Sequence, residues 1–354
     1  MENRLLLAFV LSLAVFIGWG YFLAQIQGPL PVKEPGMEEF PEDAQALAPK
    51  SRALGSAPSG LPKSESFQPT TPMPVPIDPF PGEEVLIQVS TGKTHFVISN
   101  RGGVIKQLQL PRFYDDDGNI IDLINNPDHL TPALALQAND PEVTAILQNA
   151  HYEPSTTSIV LSEFNPEGRL TLTLNHSSGL QVTRTYVFHF NDYMVEMDTQ
   201  ISAPSMASRN LQYQVLLGPG MGGKISSQTD YIVFSGATVF ANNERIENPP
   251  EDINNTSYFK GDLQWVAFQN KYFGSALIPQ QGTKSGLVFK EEDEVFVGLK
   301  FESVQSAASA QILFYGGTKE LEILEDKGHH LVRMIDYGWF GNKFAFLVKP
   351  LLKV

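Results

Sequence analysis

Residues 169–202 read RLTLTLNHSSGLQVTRTYVFHFNDYMVEMDTQIS, and their alternation decides the fold. Side chains along a strand point to opposite faces in turn. Leu170, Leu172 and Leu174 therefore share one face while Thr171 and Thr173 share the other. NHSSG at 175–179 supplies turn residues, and QVTRTYVFHF at 181–190 puts Val182, Tyr186, Phe188 and Phe190 on one side. Asn191 and Asp192 fit a two-residue hairpin leading into YMVEMDTQIS at 193–202. There Tyr193, Val195, Met197 and Ile201 alternate with Glu196, Asp198 and Gln200. Three neighbouring strands with one apolar face each predict an antiparallel meander packed by that face.

The same period recurs at 84–90, 94–99, 104–110, 231–240, 264–278, 286–290, 295–302 and 308–315. So many short strands without intervening helices predict a mainly β fold of packed antiparallel sheets, a large sandwich over 83–330, and argue against a parallel α/β domain. One helix is expected at its end, TKELEILEDK at 318–327, with Thr318 as cap and Leu321, Leu324 and Ile323 facing the body. No repeat of solenoid period is present.

Ahead of this domain, 28–82 holds thirteen of the 25 prolines, mixed with Ser, Ala, Gly and acidic residues, as in PTTPMPVPIDPFPG at 69–82. Such a segment buries too little apolar area to offset the entropy of ordering, so it reads as an extended linker rather than a docking motif. Before it lies LLLAFVLSLAVFIGWGYFLA, Leu5–Ala24, uncharged and polar only at Ser12. At about 1.5 Å per residue a helix of this length covers roughly 30 Å, the hydrocarbon thickness of a bilayer. Residues 1–27 are thus expected to be a transmembrane anchor, with Leu5, Phe9, Leu13, Phe16, Trp19 and Tyr21 in contact with lipid. A cleaved signal peptide has a shorter apolar run ending in small residues, whereas this one ends in bulky aromatics suited to the interface. The expected topology is a cytoplasmic N-terminus and an exported main domain. With no cysteine in the chain, that domain has no disulfides and depends on its core.

The net charge of −14 is unevenly spread: residues 83–330 sum to −14 and residues 331–354 to +3. An acidic body is repelled by phosphate polymers and by anionic lipid, which excludes nucleic acid as a partner. The basic end is different. Wound as a helix from Trp339, it puts Phe340, Phe344, Leu347, Val348, Leu351 and Leu352 along one face and Asn342, Lys343, Lys349 and Lys353 on the other. A helix of this kind either packs on its own domain or lies in the lipid headgroups with its lysines toward anionic lipid. Its density of aromatics and lysines favours the membrane, so Trp339, Phe340, Lys343, Phe344, Leu347, Lys349, Leu351 and Lys353 are the expected interfacial residues within 331–354. Pro350 should kink or shorten the helix.

Motifs for chemistry are weak. GPGMGGK at 218–224 fits seven positions of a phosphate loop, but Ile225 stands where Ser or Thr would hold magnesium, so it reads as a glycine-rich loop between strands. Asp115, Asp117 and Asn119 imitate the start of a calcium loop, yet the glycine is at 118 and Asn126 replaces the closing Glu, so Asp117-Gly118 reads as a turn. Among seven histidines only His329 and His330 are neighbours, and adjacent residues do not converge on one ion. No nucleophile elbow or zinc-protease helix occurs, and the carboxylates form no readable pair. No catalytic residue, cofactor or metal is expected.

With these pieces in place the chain resembles the front part of the YidC family of bacterial inner-membrane insertases. The residues that carry the resemblance are MENRLLLAFVLSLAVFIGWGYF at the start, THFVISNRGGVIKQLQLP at 94–111, LQWVAFQNKYFGSALIP at 263–279, LFYGGTKELEIL at 313–324 and IDYGWFGNKFAFLVKPLL at 335–352. The resemblance implies an antiparallel β-supersandwich in the periplasm, a fold shared with aldose epimerases, with a short helical end and an interfacial helix. It also implies an insertase and chaperone role in the inner membrane, with membrane lipid, nascent inner-membrane proteins and the Sec translocon as partners. Five further membrane helices with a polar groove, in which the family does its work, are expected beyond Val354. Arg333 is not a substitute for the groove's arginine. A second reading, an anchored carbohydrate-binding or sugar-epimerising protein, requires a histidine and a carboxylate converging in an aromatic-lined cleft.

Overall fold

The computed structural model describes residues 80–335 except 81, 126, 128, 204–211, 223–233 and 303–306, all in the second of the chain's two units, Pro74–Val354. The anchor residues Leu5, Phe9, Leu13, Phe16, Trp19 and Tyr21 lie outside the described residues. So do nearly all of the linker and the interfacial residues Trp339, Phe340, Lys343, Phe344, Leu347, Lys349, Leu351 and Lys353. Among the described residues no helix is long and apolar enough to cross a membrane.

β1 (Leu86–Ser90), β2 (His95–Ser99), β3 (Ile105–Tyr114) and β4 (Ile120–Asp122) form an antiparallel meander. A short strand, β5 (Leu136–Ala138), precedes helix α1 (Pro141–Asn149). Asp140 caps that helix by accepting from the N–H groups of Glu142 and Val143, and Pro141 fills the first turn, where no N–H is needed. β6 (Glu153–Pro154) and β7 (Ser158–Val160) follow, β7 running parallel to β1.

β8 (Glu167–Asn175), β9 (Gln181–His189) and β10 (Met194–Ser202) are the predicted meander. Leu170 pairs with Tyr186, Leu174 with Val182 and Val195 with Phe188, and all of these side chains are buried. The connection between β9 and β10 is Phe190–Tyr193, not the two-residue hairpin expected. The Phe190 N–H is held by the Pro166 carbonyl and the Asn191 N–H by that of Thr91, tertiary bonds that open the turn. The Asp192 carboxylate then accepts from the N–H groups of Tyr193 and Met194.

The remaining strands are β11 (Gln212–Leu217), β12 (Gly236–Ala241), β13 (Glu244–Asn248), β14 (Ser257–Phe259), β15 (Leu263–Gln269), β16 (Phe273–Gln281), β17 (Thr283–Glu291), β18 (Glu294–Glu302) and β19 (Ala307–Thr318). A 3-10 turn, Pro250–Asp252, lies between β13 and β14, and helix α2 (Leu321–Lys327) and a second 3-10 turn, Leu331–Met334, close the described chain. The run read as one segment at 264–278 is two strands, because Asn270–Tyr272 turn between them. Leu321 and Leu324 are buried and Ile323 partly so. Thr318 is not the cap: it ends β19, and Glu320 occupies the cap position without a side-chain bond.

Among the described residues the strands form three sheets. The largest has the order β13-β12-β15-β16-β19-β10-β9-β8-β6, and two five-stranded sheets run β4-β3-β2-β1-β7 and β14-β17-β18-β11-β5. β15 packs across β17 and β18, while Phe96 of β2 meets Phe188 of β9 with ring centroids 5.3 Å apart. Both smaller sheets thus pack on the large one, and their inner faces share one apolar core. The antiparallel sandwich expected from period 2 is the architecture found.

Candidate functional site

Four turns converge on a cavity of about 660 Å³. The β3–β4 turn brings Asp115, Asp116 and Asp117; the loop after β11 brings Gly220 and Met221; the β15–β16 turn brings Asn270, Lys271 and Tyr272; and the β17–β18 turn brings Asp293 and Glu294. Ala237, Phe268 and Gln269 line it from the strands. The result is a partly apolar recess with carboxylates on two of its contributing turns.

Each turn is held by local chemistry. The Asp115 carboxylate accepts from the N–H groups of Asp117 (3.0 Å) and Asn119 (2.7 Å) and from the Asn119 side-chain amide (3.1 Å). Those bonds, led by the side-chain one, hold its carboxyl below the usual range. The calcium-loop imitation is therefore a turn whose donors are its own amides, with Gly118 at φ +83°. In the glycine run the Gly220 N–H donates to the Val295 carbonyl (2.9 Å) and the Gly222 N–H to that of Leu123 (3.1 Å). Those amides serve neighbouring strands rather than a phosphate, as expected for a connecting loop; Lys224 and Ile225 lie outside the described residues. Beside this loop Asp122 accepts from the N–H groups of Leu108 and Ile124, and burial pushes its carboxyl up against those two bonds.

The β15–β16 turn is tied twice. Asn270 Oδ1 accepts from the N–H groups of Tyr272 (2.9 Å) and Phe273 (2.8 Å), while Lys319 donates through Nζ to the Asn270 carbonyl and through its backbone N–H to that of Tyr272. Next to it Gln269 is 1% exposed. Its Nε2 donates to Thr238 Oγ1 (3.1 Å), and its Oε1 has no partner. Gln269 pairs with Gly274 in the ladder, and a Cβ on Gly274 would stand 3.0 Å from Met334 Sδ. Directly paired residues share a sheet face, so the last turn of the described chain sits beside Gln269. His330 and Arg333 of that region lie 5.5 and 5.9 Å from the Phe240 ring.

No histidine lines this cavity. Among the described residues His189 pairs with Glu196 at 3.1 Å, exposed on β9 and β10, and neither residue lines this cavity. His329 and His330 lie side by side in left-handed turn conformations, and among the described residues no cluster of three His, Asp or Glu is arranged for a metal.

One buried group escaped the sequence reading. Arg184, on the inner face of β9, is fully buried and donates through Nη1 to the carbonyls of Gly102 (3.0 Å) and Gly103 (2.8 Å) and through Nη2 to that of Leu134 (2.9 Å). Its signal was present: 184 has the same parity as Val182, Tyr186 and Phe188. It ties three chain segments together and touches no cavity described above.

The family profile of the YidC periplasmic domain matches residues 86–354. Relatives titled membrane protein insertase YidC include one from Pelobacter propionicus, 26% identical over 99% of this chain and 62% of that protein. Another, from Nitratidesulfovibrio vulgaris, is 27% identical over 99% of this chain and 62% of that protein. The chain therefore spans about three-fifths of the length of these relatives. A galactose mutarotase-like protein from Lactobacillus casei superimposes with a TM-score of 0.44 at 8% identity, over 66% of this chain and 99% of that one. The profile match starts at the first residue of β1 and takes in every strand of the three sheets, and on that ground the chain belongs to the family of the YidC periplasmic domain.

Proposed function

We propose that the chain works in the insertion and folding of inner-membrane proteins, as the anchored, periplasmic-domain portion of a YidC-type insertase acting alone or with the Sec translocon. The observation that carries this reading is the profile match over 86–354, supported by relatives that bear the insertase name across 99% of the chain. In this reading Leu5–Ala24 spans the bilayer from a cytoplasmic N-terminus, the sandwich stands in the periplasm, and residues 339–353 return the chain to the lipid surface. Its work is binding and positioning rather than bond chemistry. Nascent membrane proteins and Sec subunits are the partners, met at strand edges that offer unpaired backbone groups.

The test uses the full chain in bacterial inner membrane, with a photo-crosslinking residue at Tyr258 of edge strand β14 or at Ser158 of edge strand β7. Light should yield adducts with Sec subunits or nascent membrane proteins, and protease added to spheroplasts should remove the sandwich. A sandwich protected from that protease, or adducts with lipid alone from both edges, would overturn the reading.

A further inference from the structure

We propose that the β7 edge and the turn after it bind an extended polypeptide segment carrying both apolar and basic residues. The proposal rests on the function put forward above for its use of strand edges, and it gives one of those edges a ligand chemistry. Phe164 is 99% exposed and Val160 70% exposed, the two most exposed large apolar side chains among the described residues. A lone exposed apolar side chain is ordinary, but here the backbone fixes Phe164 in place. Ser162 and Asn165 exchange N–H to carbonyl bonds at 3.1 Å each, and the Asn165 N–H also reaches Ser162 Oγ (3.3 Å), so Glu163 and Phe164 form a two-residue turn. Both ends of that turn are tied to the body: the Leu161 N–H donates to the Ser90 carbonyl (2.9 Å) and the Phe190 N–H to that of Pro166 (2.7 Å). Ile159 and Leu161 pack over Gly168, where a Cβ would stand 2.5 and 2.9 Å from them. Phe164 is thus presented already ordered, which lowers the cost of using it as an anchor.

The backbone says what form the ligand takes. β7 is the outermost strand of its sheet and runs parallel to β1. The Gln88 N–H donates to the Thr157 carbonyl and the Leu161 N–H to that of Ser90, so the odd-numbered residues bond to β1 and the backbone groups of Ser158 and Val160 point to the open side. Those of Ser158 are met by Thr156, whose Oγ1 accepts from its N–H (3.4 Å) and donates to its carbonyl (3.1 Å). Those of Val160 face outward beside the turn, and an extended segment laid along β7 completes them. A folded partner whose pocket took in Phe164 would leave that backbone pair to water. Charge then selects the side chains. Glu163 and Glu167 flank Phe164 and are exposed; Arg169, 3.9 Å from Glu167, is exposed too, and such a pair is too weak to cancel the acidic surplus. Basic residues in the segment meet these carboxylates while its apolar ones cover Phe164 and Val160, which lie no more than about 14 Å apart, a span of about four extended residues. The same carboxylates oppose burial of the turn in lipid, where they would lose water and be repelled by anionic headgroups.

The experiment titrates a fluorescein-labelled synthetic peptide of alternating valine and lysine against the full chain in nanodiscs of neutral phospholipid, reading anisotropy. Saturable binding is expected, weakened at least about tenfold by Phe164→Ser and about threefold by Glu163→Gln together with Glu167→Gln, with circular dichroism unchanged because all three positions are exposed. The same peptide N-methylated at alternate residues, which cannot pair with a strand, should lose binding to a similar degree, and a photo-crosslinking residue at Phe164 should label the parent peptide. No saturable binding below about 1 mM, binding indifferent to Phe164→Ser or to N-methylation, or Phe164 adducts with lipid or with a second copy of the chain would overturn the proposal. Adducts with Sec subunits or nascent membrane proteins from Tyr258 alongside such a failure would leave the insertase reading standing, whereas a sandwich protected from protease in spheroplasts would sink that reading and not the peptide binding.

Discussion

At the scale of single residues, Arg184 carries the largest local consequence. A guanidinium removed from water is costly, and here Nη1 and Nη2 are met by three carbonyls, with the Tyr186 ring 5.5 Å away, while the buried Nε has no partner. Those carbonyls belong to the β2–β3 turn and to the approach to β5, neither of which is a ladder neighbour of β9. The side chain therefore replaces backbone pairing that the topology does not supply. Arg184→Met keeps the length and removes the donors, leaving the Leu134 carbonyl without that bond while Tyr186 Oη still donates to Gly103. Urea unfolding of the full chain should show a loss of about 2 to 5 kcal/mol, because the buried Gly102 and Leu134 carbonyls lose that donor at about 1 to 3 kcal/mol each. A loss under about 1 kcal/mol would mean that the carbonyls find other partners.

At the scale of elements, alternation made the strands legible, and tertiary bonds set what alternation could not. The β8–β10 meander follows from its leucine, valine and aromatic parity, whereas its second turn is reshaped by carbonyls of Thr91 and Pro166, 100 and 24 residues away in sequence. Helix α1 carried a readable start in Asp140-Pro141-Glu142, but only Val143, Ile146 and Leu147 are buried along it, too short a stripe to stand out. The cavity was invisible for the same reason as the hairpin error: its carboxylates, Gln269 and Tyr272 come from turns that only the folded sheets bring together. The 3-10 turn at the end illustrates how one position governs an element. Gly274 leaves room for Met334, and the buried Leu331 and Met334 pin the end of the described chain to the domain. Gly274→Val presses a branched side chain against the Met334 sulfur, which already lies 3.0 Å from where a Cβ would stand. Limited proteolysis should then cleave within 328–335 at least about tenfold faster while the global urea midpoint moves little, because local opening free energies can fall well below the global one. Unchanged cleavage would show that Met334 shifts without releasing the turn.

At the scale of the whole molecule, the question is whether charge helps or opposes the fold. The ion pairs among the described residues are mostly surface contacts: Lys106 with Glu84 at 3.7 Å and Arg169 with Glu167 at 3.9 Å are both well exposed, and pairs of that kind contribute about 0 to 1 kcal/mol. The better one is Lys327 with Asp192 at 2.9 Å, each about one-fifth exposed, which joins α2 to the β9–β10 connection. Burial lowers the affinity of Lys327 for its proton, and the bond and charge of Asp192 and Asp326 more than restore it. Against these stands a net charge of −14 that the core must hold together. Self-repulsion of that size acts over the screening length, which falls from roughly 30 Å at about 0.01 M salt to roughly 8 Å at about 0.15 M. The attractive pairs are few and short-ranged, so screening should remove more repulsion than attraction. The urea midpoint of the full chain at pH 7 should accordingly rise between those two salt concentrations, by an amount on the order of 1 kcal/mol in stability. Lys327→Met should lower the midpoint at both salts and leave the upward trend intact, whereas a midpoint that falls with salt would show that paired charges outweigh the acidic surplus.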